Sequence, residues 1–134
     1  MKNMTSISFE FFPPKSAEAE KKLWEVVNEL ATIGPDFVSI TYGAGGSTRE
    51  RTHNCVKHLV SETDLSPAAH LTCVAASKSE VDEVIEDYAK AGVKHIVALR
   101  GDMPDMEAFS PHPDGYQGSV ELVETLARRG GFDI

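Results

Sequence analysis

Four short apolar runs, each closed by polar or small residues and followed by a helix pattern, limit what this chain can fold into more than any other feature. The runs are Ile7–Phe12, Phe37–Tyr42, Ala69–Val74 and His95–Leu99. At or near their ends stand Glu10, the stretch Thr41-Tyr42-Gly43-Ala44-Gly45-Gly46, Thr72-Cys73, and Arg100-Gly101-Asp102. Strands separated by helices are joined by crossovers, and crossovers give a parallel sheet. In such sheets ligand and catalytic groups collect at the carboxyl ends of the strands, so those four ends are the places to look for function.

The helix signals are mutually consistent. Ser16 is placed to cap a helix with the stripe Leu23, Val26, Val27 and Leu30, stopped by Gly34-Pro35. Ser47 with Glu50 reads as a capping box ahead of Thr52, Cys55, Val56 and Leu59. Ser77 with Glu80 reads as another ahead of Val81, Val84, Ile85 and Tyr88. A last helix carries Val120, Val123 and Leu126 and ends at Gly130-Gly131, after which Phe132-Asp133-Ile134 opens a fifth strand.

Two architectures compete: an open doubly wound sheet and a (βα)8 barrel. In the first run Ile7, Phe9 and Phe11 oppose Ser8, Glu10 and Phe12. In the second Val38, Ile40 and Tyr42 oppose Phe37, Ser39 and Thr41. In the fourth Val97 and Leu99 oppose Ile96, Ala98, Arg100 and Asp102. One apolar face to lie beneath helices, and another turning small and polar toward the strand ends, favours the TIM-barrel type over a sheet covered on both faces. Residues 1–134 then read as one domain: four βα units plus the start of a fifth strand, the N-terminal half of a barrel. A half barrel has open edges, so self-association to a homo-oligomer is the expectation.

Composition removes several classes of function. With 13 Lys and Arg against 21 Asp and Glu, the net charge is −8 and no basic stripe is present for nucleic acid. The two cysteines, Cys55 and Cys73, form no C-x-x-C pair, the histidines have no metal-ligand spacing, and no metal is expected. No apolar stretch approaches membrane-spanning length, and the N-terminus leads into a strand rather than a signal-peptide core; a soluble cytoplasmic protein is the expectation.

Glu10 is flanked by Phe9, Phe11 and Phe12 with no cation nearby in sequence. A carboxyl facing a barrel interior among aromatic residues loses hydration, its pKa rises, and it becomes a general acid near neutral pH. The glycine run after Tyr42 allows close backbone approach to a ligand but lacks the spacing of a dinucleotide or P-loop fingerprint. Arg100 and Asp102 either pair with each other or straddle a polar ring system, one donating and the other accepting. His53, His58 and His112 read as surface residues, and His70, in parity with Thr72, reads from spacing alone as a core histidine.

The blocks Ser8-Phe9-Glu10-Phe11-Phe12-Pro13-Pro14, Phe37-Val38-Ser39-Ile40-Thr41-Tyr42-Gly43-Ala44, Ala69-His70-Leu71-Thr72-Cys73 and His95–Asp102 occur in the order and spacing of a known family. Together they resemble methylenetetrahydrofolate reductase, from about residue 6 to the end. The resemblance implies a (βα)8 barrel binding FAD at the strand ends. NADH or NADPH would reduce the flavin, which would pass hydride to the folate substrate 5,10-methylenetetrahydrofolate to give 5-methyltetrahydrofolate. By position, Glu10 resembles the catalytic acid that opens the folate's five-membered ring. Asp102 resembles the carboxylate near flavin and pterin, with both a cofactor and a substrate contact. Thr41, Tyr42, Ala44, His70, Arg100 and Gly101 resemble flavin contacts, which replaces the core reading of His70. Gly118-Ser119 stands where the family has a Tyr-Ala pair, and Ser119 is left to offer its backbone. The alternative from another class is a non-catalytic, self-associating or partner-binding half barrel.

Overall fold

A computed structural model describes residues 5–43 and 49–134. Four strands, β1 (Ser8–Phe11), β2 (Phe37–Ile40), β3 (Pro67–Thr72) and β4 (His95–Leu99), pair in parallel in the order β1-β2-β3-β4. Helices α1 (Ala17–Ala31), α2 (Arg49–Glu62) and α3 (Lys78–Ala91) connect them. A short turn (Pro104–Met106) and α4 (Ser119–Arg129) follow β4. Neighbours in space are neighbours in sequence throughout, which is the wall of a barrel; a doubly wound sheet reverses its order at a switch point. The fold is a partial (βα)8 barrel. The start of a fifth strand is present too: Asp133 forms a parallel bridge with His95, its N–H donating to the Lys94 carbonyl at 2.8 Å.

Strand register sorts the side chains into two faces. Phe9 pairs with Val38, Ile40 with Ala69, and Ala69 with Ile96. These positions, with Phe11, Leu71 and Ala98, belong to the apolar core and lie under the helices. The opposite, inner face carries Glu10 beside Ser39, Ser39 beside Ala68, His70 beside Val97 and Thr72 beside Leu99. The fourth strand therefore reverses the assignment made from its sequence. Ile96 and Ala98 face the helices, while Val97 and Leu99 face inward, Leu99 remaining 39% exposed. Because Ile, Val, Ala and Leu alternate there without a polar partner, parity within that strand held no information.

The stripes that helical periodicity implies are buried in α2 and α3, whereas α1 buries Val27 but leaves Val26 exposed, and α4 departs further. Thr52, Cys55, Val56 and Leu59 of α2 and Val81, Ile85 and Tyr88 of α3 are buried. In α4 the buried residues are Leu122 and Leu126, while Val120 is 73% exposed. The spacing of 122 and 126 is as helical as that of 120 and 123, and the sheet selects one stripe. Ser16 caps α1 by accepting from the Ala19 N–H at 3.1 Å. The Ser77–Glu80 capping box starts α3, and Gly92 ends it in the left-handed conformation. The Ser47–Glu50 box lies outside the described residues. No helix among the described residues is long and apolar enough to cross a membrane.

Because the Ser77 hydroxyl accepts from the Glu80 N–H while the Glu80 carboxylate accepts from Ser77, removing the hydroxyl undoes half the box. Ser77→Ala is expected to lower unfolding stability by about 1 kcal/mol, read as a lower urea midpoint at unchanged slope; an unmoved midpoint would contradict this assignment.

Candidate functional site

The inner face toward the carboxyl ends of the strands gathers polar side chains contributed by three adjacent strands. Parallel register sets Glu10 directly beside Ser39, and His70 lies on the next strand. The Ser39 hydroxyl donates to Glu10 Oε2 at 3.4 Å, and His70 Nε2 lies 3.3 Å from the same oxygen. That nitrogen is close enough to feel the carboxylate charge but is not aligned for a hydrogen bond, and it is otherwise unpartnered. Ser39 and His70 are buried, whereas the Glu10 side chain is 57% exposed. The dehydrated carboxyl expected from the sequence is therefore not found. Phe9 and Phe11 are on the helix side of β1, so the aromatic neighbours in sequence are not neighbours around the carboxyl. Burial pushes the His70 pKa down, and the nearby Glu10 charge partly opposes that shift.

Two further inner-face hydroxyls, Thr41 Oγ1 and Thr72 Oγ1, are buried with no partner among the described residues. Unpaired polar atoms of this kind cost free energy unless a ligand or water completes them. The backbone of Thr41 is held on both sides. Its N–H donates to the Phe11 carbonyl at 3.1 Å, and its carbonyl accepts from the Thr52 hydroxyl of α2 at 2.7 Å.

Tyr42 turns the other way. Its side chain passes behind the sheet, with its hydroxyl 2.5 Å from His53 Nε2, and the His53 ring meets Tyr88 of α3 edge-on. Any ligand contact by Tyr42 on the inner face is left to its backbone. His53 and His58 are not free surface residues as expected: His53 is wedged between two tyrosines, and His58 stacks on Trp24 with ring centroids 4.0 Å apart. Among the singled-out residues, Ala44 lies outside the described segment.

The fourth strand end forms a second group. Gly101 has a φ of +84° and sits so close to Val74 and Thr72 that a Cβ would lie 2.5 Å from Val74 Cγ1. This turn breaks the strand alternation, so Arg100 and Asp102 do not project as a simple i, i+2 pair, and no ion pair joins them. Asp102 is exposed. Arg100 lies over the Phe109 ring at 4.6 Å, and its carbonyl accepts from the Cys73 thiol at 3.5 Å. With Ser119, the first residue of α4, it lines a cleft of about 500 Å³ that also includes Gln117, Gly118 and Glu124. Tyr116, buried and donating to Asp82 at 2.5 Å, anchors the segment leading into α4.

The structure thus brings Glu10 and His70 together, places Thr41 on the same face, and separately joins Arg100 to Ser119. Ser39 was not singled out in the sequence as a site residue, and Thr72 was named only as closing the third run. Their positions beside Glu10 and His70 follow from register, and register is not visible in one strand at a time.

Sheet order and inner-face polarity define a partial βα-barrel protein whose candidate site lies at the carboxyl ends of its strands. The family model for methylenetetrahydrofolate reductase matches residues 1–134. Relatives called 5,10-methylenetetrahydrofolate reductase from Pectobacterium carotovorum and Escherichia coli are each 43% identical over 96% of this chain and 42% of their own length. The Arabidopsis thaliana protein called methylenetetrahydrofolate reductase (NADH) 1 is 33% identical over 95% of the chain and 22% of its own length. The chain belongs to the methylenetetrahydrofolate reductase family, a family of oxidoreductases, and spans about two-fifths of the length of its bacterial relatives.

His53 provides a pH test of this region. Burial, with Arg49 and Lys57 nearby and Asp87 partly opposing them, lowers its pKa from 6.5 to about 4. The unfolded chain takes up the proton first as pH falls, so the stabilisation is complete above about pH 6.5 and is lost on descent to about 4. The stability advantage of the wild-type chain over His53→Gln, measured by chemical denaturation, should shrink across that window by on the order of 2 kcal/mol. A pH-independent difference would contradict the buried neutral imidazole.

Proposed function

We propose that this chain supplies the acid side and part of the flavin cradle of an enzyme that reduces 5,10-methylenetetrahydrofolate to 5-methyltetrahydrofolate, in cytoplasmic one-carbon metabolism feeding methionine synthesis. The observation that carries the reading is the meeting of Glu10 with His70 and Ser39 on the inner face, in a chain of this family. FAD fits the residues present. The buried hydroxyl of Thr41, His70 Nε2 and the backbone around Gly101 offer donors and acceptors to a polar ring edge, and Arg100 and Asp102 stand at the neighbouring strand end. The flavin, when bound, supplies a two-electron relay between NADH or NADPH and the folate.

The chain's own contribution is acid chemistry and positioning. Ser39 and His70 both lie against Oε2 of Glu10, which leaves Oε1 for the substrate. Protonation of a nitrogen in the folate's five-membered ring by Glu10 weakens its bond to the bridging methylene carbon. Opening of that ring leaves an iminium carbon able to accept hydride. Burial favours the neutral form of His70, which adds no competing cation beside the acid. Asp102, exposed at the end of the fourth strand, is assigned the pterin contact, and Ser119 a backbone contact to the cofactor.

The test uses this segment joined to the remainder of the Escherichia coli relative, with folding checked by circular dichroism. Glu10→Gln should leave flavin reduction by NADH or NADPH at the parent rate and slow the folate half-reaction by about 10²- to 10⁴-fold. Stopped-flow traces showing both half-reactions unaffected would exclude Glu10 as the acid.

A further inference from the structure

Two consecutive residues of α2 reach two consecutive residues at the exit of β2. Thr52 donates its hydroxyl to the Thr41 carbonyl at 2.7 Å, and His53 Nε2 lies 2.5 Å from the Tyr42 hydroxyl. Thr52 is fully buried and His53 half-buried, so both contacts are shielded from water. The donor in the second contact is decided by chemistry. Burial pushes the Tyr42 phenol up to about 12 against the opposing pull of Tyr88 and Arg49, so the phenol keeps its proton and gives it to an imidazole nitrogen that must be unprotonated. These contacts flank the point where the chain leaves the sheet. On the inner side of that point stands the unpartnered Thr41 hydroxyl.

We propose that Thr52 and His53 are positioning residues that latch the exit of β2 from behind the sheet, holding Thr41 and Tyr42 in ligand-binding geometry. Neither residue touches the inner face. The inference rests on the reading above that this strand end faces the ligand, but the latch can be measured in its absence. The strand exit has a further tie, the Thr41 N–H to the Phe11 carbonyl at 3.1 Å across to β1. Around His53 stand Tyr42 from the strand exit, Arg49, Glu50 and Lys57 from α2, and Glu80, Glu83, Asp87 and Tyr88 from α3. A proton on the imidazole removes the acceptor and adds a third cation beside Arg49 and Lys57.

The test is amide hydrogen exchange on the ligand-free 134-residue chain, comparing two amides of the same strand. The Thr41 N–H, held by Phe11, reports on the exit, and the Val38 N–H, held by the Ser66 carbonyl at 3.1 Å, reports on the opposite end. Thr52→Val, His53→Leu and Tyr42→Phe should each raise exchange at Thr41 by ~10-fold relative to Val38. Thr52→Ser and His53→Gln, which keep a hydroxyl and an acceptor, should restore protection, and Tyr42→Phe with His53→Leu should be no worse than either alone. Equal acceleration at Thr41 and Val38 would mean these residues support the sheet as a whole and would overturn the proposal. So would unchanged exchange at Thr41, or failure of the conservative variants to rescue. A chain that passes this test but whose fusion with the remaining barrel binds no FAD would count against the flavin reading and not against the latch.

Discussion

The parallel register between β1 and β2 is the constraint on which the site depends. It sets Glu10 beside Ser39 and, one strand further, within 3.3 Å of His70. A slip of one residue would move Glu10 among the helices and bring a phenylalanine to the inner face. The helix-side pairing of Phe9 with Val38 and Phe11 with Ile40 prevents that slip, because the apolar partners are buried while the inner face tolerates exposure. The core beneath the helices thereby determines where Glu10 stands, without any of its residues reaching the inner face.

Much of this was legible in the sequence. The alternation of Phe9 and Phe11 against Glu10, and of Val38 and Ile40 against Ser39 and Thr41, carries the two faces directly, since apolar and polar residues take opposite sides. The buried stripe of α2 was equally plain because Thr52, Cys55, Val56 and Leu59 recur at helical spacing with charges between them. In β4 neighbouring residues are all apolar, and in α4 Val120, Leu122 and Val123 offer two stripes; pattern alone could not choose between them, and packing did.

The candidate site was legible as residue types and less so as environment. Glu10 looked dehydrated because its sequence neighbours are aromatic, yet a strand sends consecutive side chains to opposite faces, and the carboxyl stays open. His53 looked superficial on a polar helix, but Tyr42 and Tyr88 reach it from two other elements, a long-range meeting that no local pattern encodes. The same geometry shows a tyrosine at this strand end with its side chain turned away from the inner face, tying the strand exit to the helix layer.

The claim at the centre is that Glu10 and His70 face one another on the inner side of the sheet. Nitrogen chemical shifts of the His70 imidazole, followed by NMR as pH is varied, test it most directly in wild-type and Glu10→Gln chains. Because the Glu10 charge favours protonation of His70, removing it should move the imidazole midpoint to lower pH. An unmoved midpoint would mean that the two groups do not share this face, and the site described here would lose its acid.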